Sequence, residues 1–261
     1  MTRFKLAALA AAFVTLTGPA VAKSLTVGAN VGNVPWEFQD TESEIVGFEV
    51  DLVREAAKRM GYDDVQFENI PFNGLFSAVQ SGRIDAAISS ITITKTRLES
   101  VSFAQPYYDS DQSLSVLRSS GIEGLSGLEG KVVGVDTGST GDIYATEHEG
   151  ELGLSEIRRF EGLSPAMLDL AAGRIDGYIS DIPAVAYYIR DKPQYAVVER
   201  IPTGEQYSIM FAKDSPLVAQ ATDAITAMKG DGFLAKLHET WFGTQPDAST
   251  STVVVADTPK P

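Results

Sequence analysis

Gly82-Arg83-Ile84-Asp85-Ala86-Ala87-Ile88-Ser89 returns later in the chain as Gly173-Arg174-Ile175-Asp176-Gly177-Tyr178-Ile179-Ser180. Each copy follows a short helix-like segment, Leu75 to Gln80 in one and Ala166 to Ala172 in the other, and each ends in an apolar run that reads as a strand. Upstream, Leu25 to Ala29 reads as a short buried strand, and Lys131 to Val135 echoes it, each followed by a polar turn containing glycine. Between the first strand and the first copy, Val53, Ala56, Ala57 and Met60 fall on one face of a helix predicted over Glu49 to Met60, with Gly61 at its C-terminal stop. Val65 to Glu68 then reads as a strand, Asn73 to Gln80 as a helix, and Arg83 to Ser89 as a strand. Strand, helix, strand, helix, strand signals a parallel sheet covered by helices. Its recurrence predicts two α/β lobes of similar wiring, with a period too long for a solenoid.

In open parallel sheets, ligands bind outside the carboxyl ends of the strands. The turns after Ala29, Ser89, Val135 and Ser180 are therefore the candidate site loops, two from each half, which predicts a cleft between lobes. Arg97 stands just beyond Ser89-Ser90-Ile91-Thr92-Ile93-Thr94, a hydroxyl-dense stretch at a strand end. A guanidinium presents a planar fork that grips a carboxylate through two parallel hydrogen bonds. Each bond to a charged group contributes roughly 1.5–3 kcal/mol, a fair share of the roughly 8 kcal/mol behind micromolar affinity. The residues alone leave a second reading open, in which Arg97 caps its loop or pairs with Glu99.

Composition narrows the function classes. Arg3 and Lys5, the apolar run Leu6 to Leu16 and the small-x-small pattern Ala20-Val21-Ala22 read as a signal peptide over 1–22, too short to span a bilayer. The chain is acidic, with formal net charge −14, which opposes nucleic acid and anionic lipid as partners. It has no cysteine, which excludes disulfides, thiolate metal sites, a thiol nucleophile and a lipoprotein anchor. His148 and His238 stand far apart without a spaced partner, so no metal and no cofactor are expected. Gly138-Ser139-Thr140-Gly141 lacks the spacing of a hydrolase elbow, and Glu49 and Asp51 read as charges favouring a helix N-terminus rather than as catalytic acids.

Gly47-Phe48-Glu49-Val50-Asp51-Leu52, continuing through Ala56, Ala57 and Met60, resembles the signature of the family 3 extracellular solute-binding proteins, the polar amino-acid binders of ABC importers. The resemblance extends over Ser89 to Arg97, Phe103 with Pro106-Tyr107-Tyr108, Gly134 to Gly141, Ser180-Asp181 with Pro183, and Trp241-Phe242-Gly243. It implies a two-lobed periplasmic-binding-protein type II fold, each lobe a mixed, mainly parallel sheet flanked by helices, joined by a two-strand hinge. It also implies a periplasmic monomer that closes on an amino acid and delivers it to a membrane permease. By the same resemblance Arg97, supported by Ser90 and Thr92, takes the ligand α-carboxylate, with Ser139 and Thr140 donating from the second lobe. Asp181 takes the α-ammonium, Ser89 lies beside it, and Phe72 walls the side-chain pocket.

Two positions depart from the common family pattern. Asn30 stands where many relatives carry Asp, and Asn33 where many carry a stacking aromatic. Trp36 either replaces that lost aromatic face or belongs to the core, and Asp136 either meets a cationic ligand side chain or caps its own loop. The expected division is lobe 1 over 23–111 and 206–243, lobe 2 over 112–205, and a disordered tail over 244–261. The crossing strands are expected near Ser113 to Leu117 and Glu205 to Ile209. The alternative to transport is a cyclohexadienyl or arogenate dehydratase on the same scaffold. Such an enzyme needs an acid aimed at a departing hydroxyl, and no unpaired acid is legible in the cleft loops.

Overall fold

The computed structural model describes residues 22–261, so all but the last residue of the expected leader lies outside them. Two five-stranded sheets carry the chain. In the first, Ser24–Ala29 lies between Asp64–Asn69 and Ala86–Ile88, all parallel, and Met210–Ala212 and Val101–Phe103 extend the edge antiparallel. In the second, Val132–Asp136 lies between Glu156–Phe160 and Gly177–Asp181, again parallel, and the long strands Tyr108–Leu117 and Tyr195–Tyr207 complete it antiparallel. Among the described residues, no helix is long and apolar enough to cross a membrane.

The repeated octapeptide does the same physical work in both sheets. Helices Phe72–Gln80 and Leu163–Ala171 each end on the repeat's glycine, with φ +71° at Gly82 and +67° at Gly173. The next N–H then reaches back, Arg83 to the Ala78 carbonyl and Arg174 to that of Asp169, the six-to-one bond that closes a helix through a left-handed glycine. The isoleucine fills a notch in the central strand: a Cβ added at Gly28 would sit 2.5 Å from Ile84 Cδ1, and one at Gly134 would sit 2.6 Å from Ile175 Cδ1. The aspartate accepts a backbone N–H of that same strand, Asp85 from Thr26 at 2.8 Å and Asp176 from Val132 at 2.9 Å. One short motif thus stops a helix, keys it onto the sheet and caps the strand beside it.

Of the two crossings between sheets, the first lies just upstream of the place expected and the second, at Tyr207 to Ile209, lies within it. Ser113 to Leu117 pairs inside the second sheet with strands on both sides. The crossing lies where Tyr107 N–H donates to the Tyr207 carbonyl, Ala104 N–H to that of Ile209 and Ser208 N–H to that of Ile91. Trp36 belongs to the core here. It is fully buried and meets Phe48, Tyr108 and Tyr207 edge-on at 4.8–5.5 Å between centroids.

The tail corrects the expectation of disorder. Ser251 and Thr252 are buried. Ser251 bonds Asp109 through both its N–H and its hydroxyl, and it accepts from Gln206 Nε2 at 2.7 Å. Thr252 donates to the Tyr107 carbonyl at 3.0 Å. Lys229, whose ammonium burial draws down to about 8, donates to Gln105 Oε1 and to the Pro106 and Val254 carbonyls. Val253 to Val255 forms turns and irregular structure, not a strand. The hydroxyls of Ser251 and Thr252, of the kind that makes the segment look soluble, are among the groups that fasten it down.

Candidate functional site

Between the two sheets lies a narrow cavity lined by Asn30, Asn33, Phe72, Ser89, Ser90, Thr92, Arg97, Asp136, Ser139, Thr140 and Asp181. All eleven residues expected from the sequence meet there. Gln112, Gly162, Leu163 and Ser180, which sequence reasoning did not single out, line it too.

One end of the cavity is cationic. Thr94 caps the helix Lys95–Ser100 by accepting the Arg97 N–H, which sets the Arg97 side chain facing inward. Its guanidinium is 8% exposed and donates to the Thr92 carbonyl at 2.7 Å and, across the cleft, to the Gly138 carbonyl at 3.2 Å. The Phe72 and Phe76 rings lie 5.4 and 5.2 Å from it. Among the described residues Arg97 forms no ion pair, and the expected alternative, Glu99, does not meet it. Burial lowers its pKa to about 10, with Glu205 and Asp181 opposing from a distance, so it remains a cation at neutral pH. A buried cation with donors to spare and no counter-ion is a receptor for an anion.

The opposite wall is acidic. Asp181 ends the strand Gly177–Asp181 and accepts from Gln112 Nε2, and burial followed by the nearby Glu205 charge holds its carboxyl well above the usual range. Asp136 ends the strand Val132–Asp136, and its Oδ1 is buried without a partner among the described residues. Burial is the main force pushing its carboxyl up to about 7, with the Glu161 charge adding to it. This corrects the expectation that no unpaired acid faces the cleft. The Tyr178 hydroxyl lies close to Asp136 without the geometry of a good hydrogen bond.

Glu205, behind the cavity lining, is a buried acid that sequence reasoning also missed. Its carboxylate accepts the Thr92 hydroxyl at 2.6 Å, the Thr140 hydroxyl at 3.0 Å and Gln112 Nε2 at 2.9 Å. A hydroxyl has one hydrogen, so Thr92 and Thr140 lie where expected with that hydrogen already given to Glu205. Ser139 caps the helix Thr140–Glu147 by accepting the Asp142 N–H at 3.1 Å, which leaves its own hydrogen free. The signal that could have revealed Gln112 is the polar run Ser110-Asp111-Gln112-Ser113 within a strand long enough to be buried.

Neither histidine enters the cavity: His148 stacks on Tyr144, and His238 bonds the Thr244 carbonyl. Among the described residues no group of three or more His, Cys, Asp or Glu could hold a metal ion.

Residues 25–244 match the profile of the bacterial extracellular solute-binding proteins, family 3. The chain is 29% identical to the ABC transporter arginine-binding protein 1 of Escherichia coli K12, over 93% of this chain and 99% of that protein. It is 30% identical to the histidine-binding periplasmic protein of Salmonella typhimurium, over 90% and 93% of the two. Among solved structures it resembles the arginine-, lysine-, histidine-binding protein ArtJ of Geobacillus stearothermophilus. The TM-score is 0.80 at 31% identity, covering 87% of this chain and 98% of that one.

Proposed function

The chain belongs to the bacterial extracellular solute-binding proteins of family 3, and on that premise we propose that it captures a cationic amino acid, arginine first, between its lobes for an ABC importer. The observation that carries this reading is the pairing of a buried, unpartnered Arg97 with an acid-rich wall facing it across one cavity. Arg97 takes the α-carboxylate with Ser90 and Ser139 donating beside it, Asp181 takes the α-ammonium, and Asp136, near Asn30 and Asn33, receives the side-chain cation. Lobe 1 comprises 23–111 and 206–243 and lobe 2 comprises 112–205, with closure about the crossing strands. The protein acts as a periplasmic monomer after loss of its leader. The relatives named above are each named for binding, which supports transport over the dehydratase alternative.

Calorimetry against arginine, histidine, glutamine and glutamate tests the reading. Arginine is expected to bind tightest and glutamate not at all, because a second ligand carboxylate would face Asp136, Asp181 and Glu205. Close like charges in a desolvated site oppose binding strongly. Tight glutamate binding would remove the charge argument.

Asp136 makes a separable prediction. A cationic side chain binds its ionised form, and the empty site holds that carboxyl at about 7. Arginine affinity is therefore expected to fall as pH drops below about 7 and to level off above it, by linkage. Asp136→Asn should reduce this dependence to the part that Asp181, also raised, contributes for every amino acid, and weaken arginine about tenfold or more, with glutamine affinity nearly unchanged. An unaltered pH profile in the variant assigns Asp136 to its own loop.

A further inference from the structure

Behind the cavity wall lie two carboxyl groups that the ligand clamp does not use. Glu37 and Glu49 are both fully buried, and neither forms an ion pair among the described residues. Glu49 was expected to serve the N-terminus of its helix. Instead its carboxylate accepts the Ser90 N–H on both oxygens at 3.0 Å, and also the Tyr107 hydroxyl. Glu37 Oε1 accepts the Ser89 hydroxyl at 2.7 Å, while Oε2, equally buried, forms no hydrogen bond among the described residues, although the Asn33 amide lies near the carboxyl. The two side chains meet.

Two buried carboxylates in contact without a counter-ion repel, so the stable arrangement keeps a proton on one of them. The orphan Oε2 of Glu37 is the place for it. As a hydroxyl it donates to Glu49, whose carboxylate then has three kinds of donor. Burial, reinforced by the Glu49 charge, holds the Glu37 carboxyl well above the usual carboxylate range.

The ligand wall hangs on this pair. Ser90 has φ +45°, a left-handed conformation unfavourable to a non-glycine residue, and its N–H is held there by Glu49. Ser89 gives its one hydroxyl hydrogen to Glu37, so towards the cavity it offers lone pairs only. Ser90 Oγ accepts from Asn33 Nδ2 at 3.1 Å, which keeps its own hydrogen free.

We propose that Glu37 and Glu49 are positioning residues of the amino-acid site: they hold the Ser89–Ser90 turn, and Glu37 fixes the Ser89 hydroxyl as an acceptor for an ammonium beside a Ser90 hydroxyl that Asn33 leaves free to donate to a carboxylate. This rests on the amino-acid reading of the cavity. It explains how one short turn meets both ends of a zwitterion, because the direction of each hydroxyl is settled before the ligand arrives.

Three variants separate this role from plain packing. Glu37→Gln keeps an acceptor for Ser89 and supplies an N–H to Glu49, reproducing the protonated pair. Glu37→Leu does neither, and Glu49→Gln must turn an N–H towards another donor. With arginine as the probe, calorimetry is expected to show Glu37→Leu and Glu49→Gln each weakened about tenfold or more, and Glu37→Gln restored to within about threefold of the native protein. Carboxyl-carbon NMR of the ligand-free protein, with glutamate labelled, should show one protonated buried glutamate at neutral pH that disappears in Glu37→Gln. Equal losses in Glu37→Gln and Glu49→Gln, or no protonated signal in the native protein, overturn the proposal. A native protein that binds no amino acid would sink the reading of the cavity instead, and the NMR signal would still decide whether the pair holds its proton.

Discussion

Arg97→Ala is expected to lower amino-acid affinity at least a hundredfold, about 2.7 kcal/mol, in a protein that still folds. The guanidinium is buried beside two phenylalanine rings with no carboxylate of its own, so its remaining donors are free for a ligand anion. Truncation leaves that anion desolvated and unpaired, and a buried charge that loses its partner costs more than the pair was worth. The fold should survive because the bonds lost run to two carbonyls, of Thr92 and Gly138, at a site that then admits water. Arg97→Lys sharpens the test, since it keeps the charge and discards the fork; an intermediate loss is expected. Near-native calorimetric affinity in a folded Arg97→Ala protein would remove the clamp.

Trp36→Ala is expected to reduce unfolding free energy by about 3–5 kcal/mol. The indole is fully buried and packs edge-on against Phe48 and against Tyr108 and Tyr207, the residues at which the two crossing strands meet. Its loss opens a cavity at the point where the sheets join, among large rings that cannot collapse inward without leaving their edge-to-face geometry. Trp36→Phe should recover much of the stability. Urea denaturation decides: a loss below about 1 kcal/mol would show that the surrounding rings repack freely.

The fold was legible because its determinants are local. Gly82, Ile84 and Asp85 act on a helix end, a strand notch and a strand N–H close at hand, and the second copy repeats the arrangement with the same letters. The loops of the cavity followed from strand direction, which is why residues as far apart as Asn30 and Asp181 could be assigned to one place. Glu205 escaped because its partner Thr92 is 113 positions away and nothing near it in sequence announces a buried carboxylate. The Glu37–Glu49 pair escaped for a related reason: an acid in the first turn of a helix has a sufficient local explanation, and only packing shows that it points inward. The tail was misread because mobile and strapped segments share one composition, and burial alone tells them apart.

The strap has a mechanical consequence for the empty-to-loaded cycle. Ser251 touches Asp109 on one crossing strand and Gln206 on the other, and these two residues face each other in the ladder. A rung riveted from outside resists shear, so rotation of one lobe against the other is displaced along the strands, towards the register shift between Ile201 and Glu205. Under the proposed closure, the pivot is then expected beside the carboxylate that holds Thr92 and Thr140 together. A chain cut at residue 244, where the family resemblance stops, would keep every cavity residue and lose the rivet, turning a hinge with a fixed axis into a looser one.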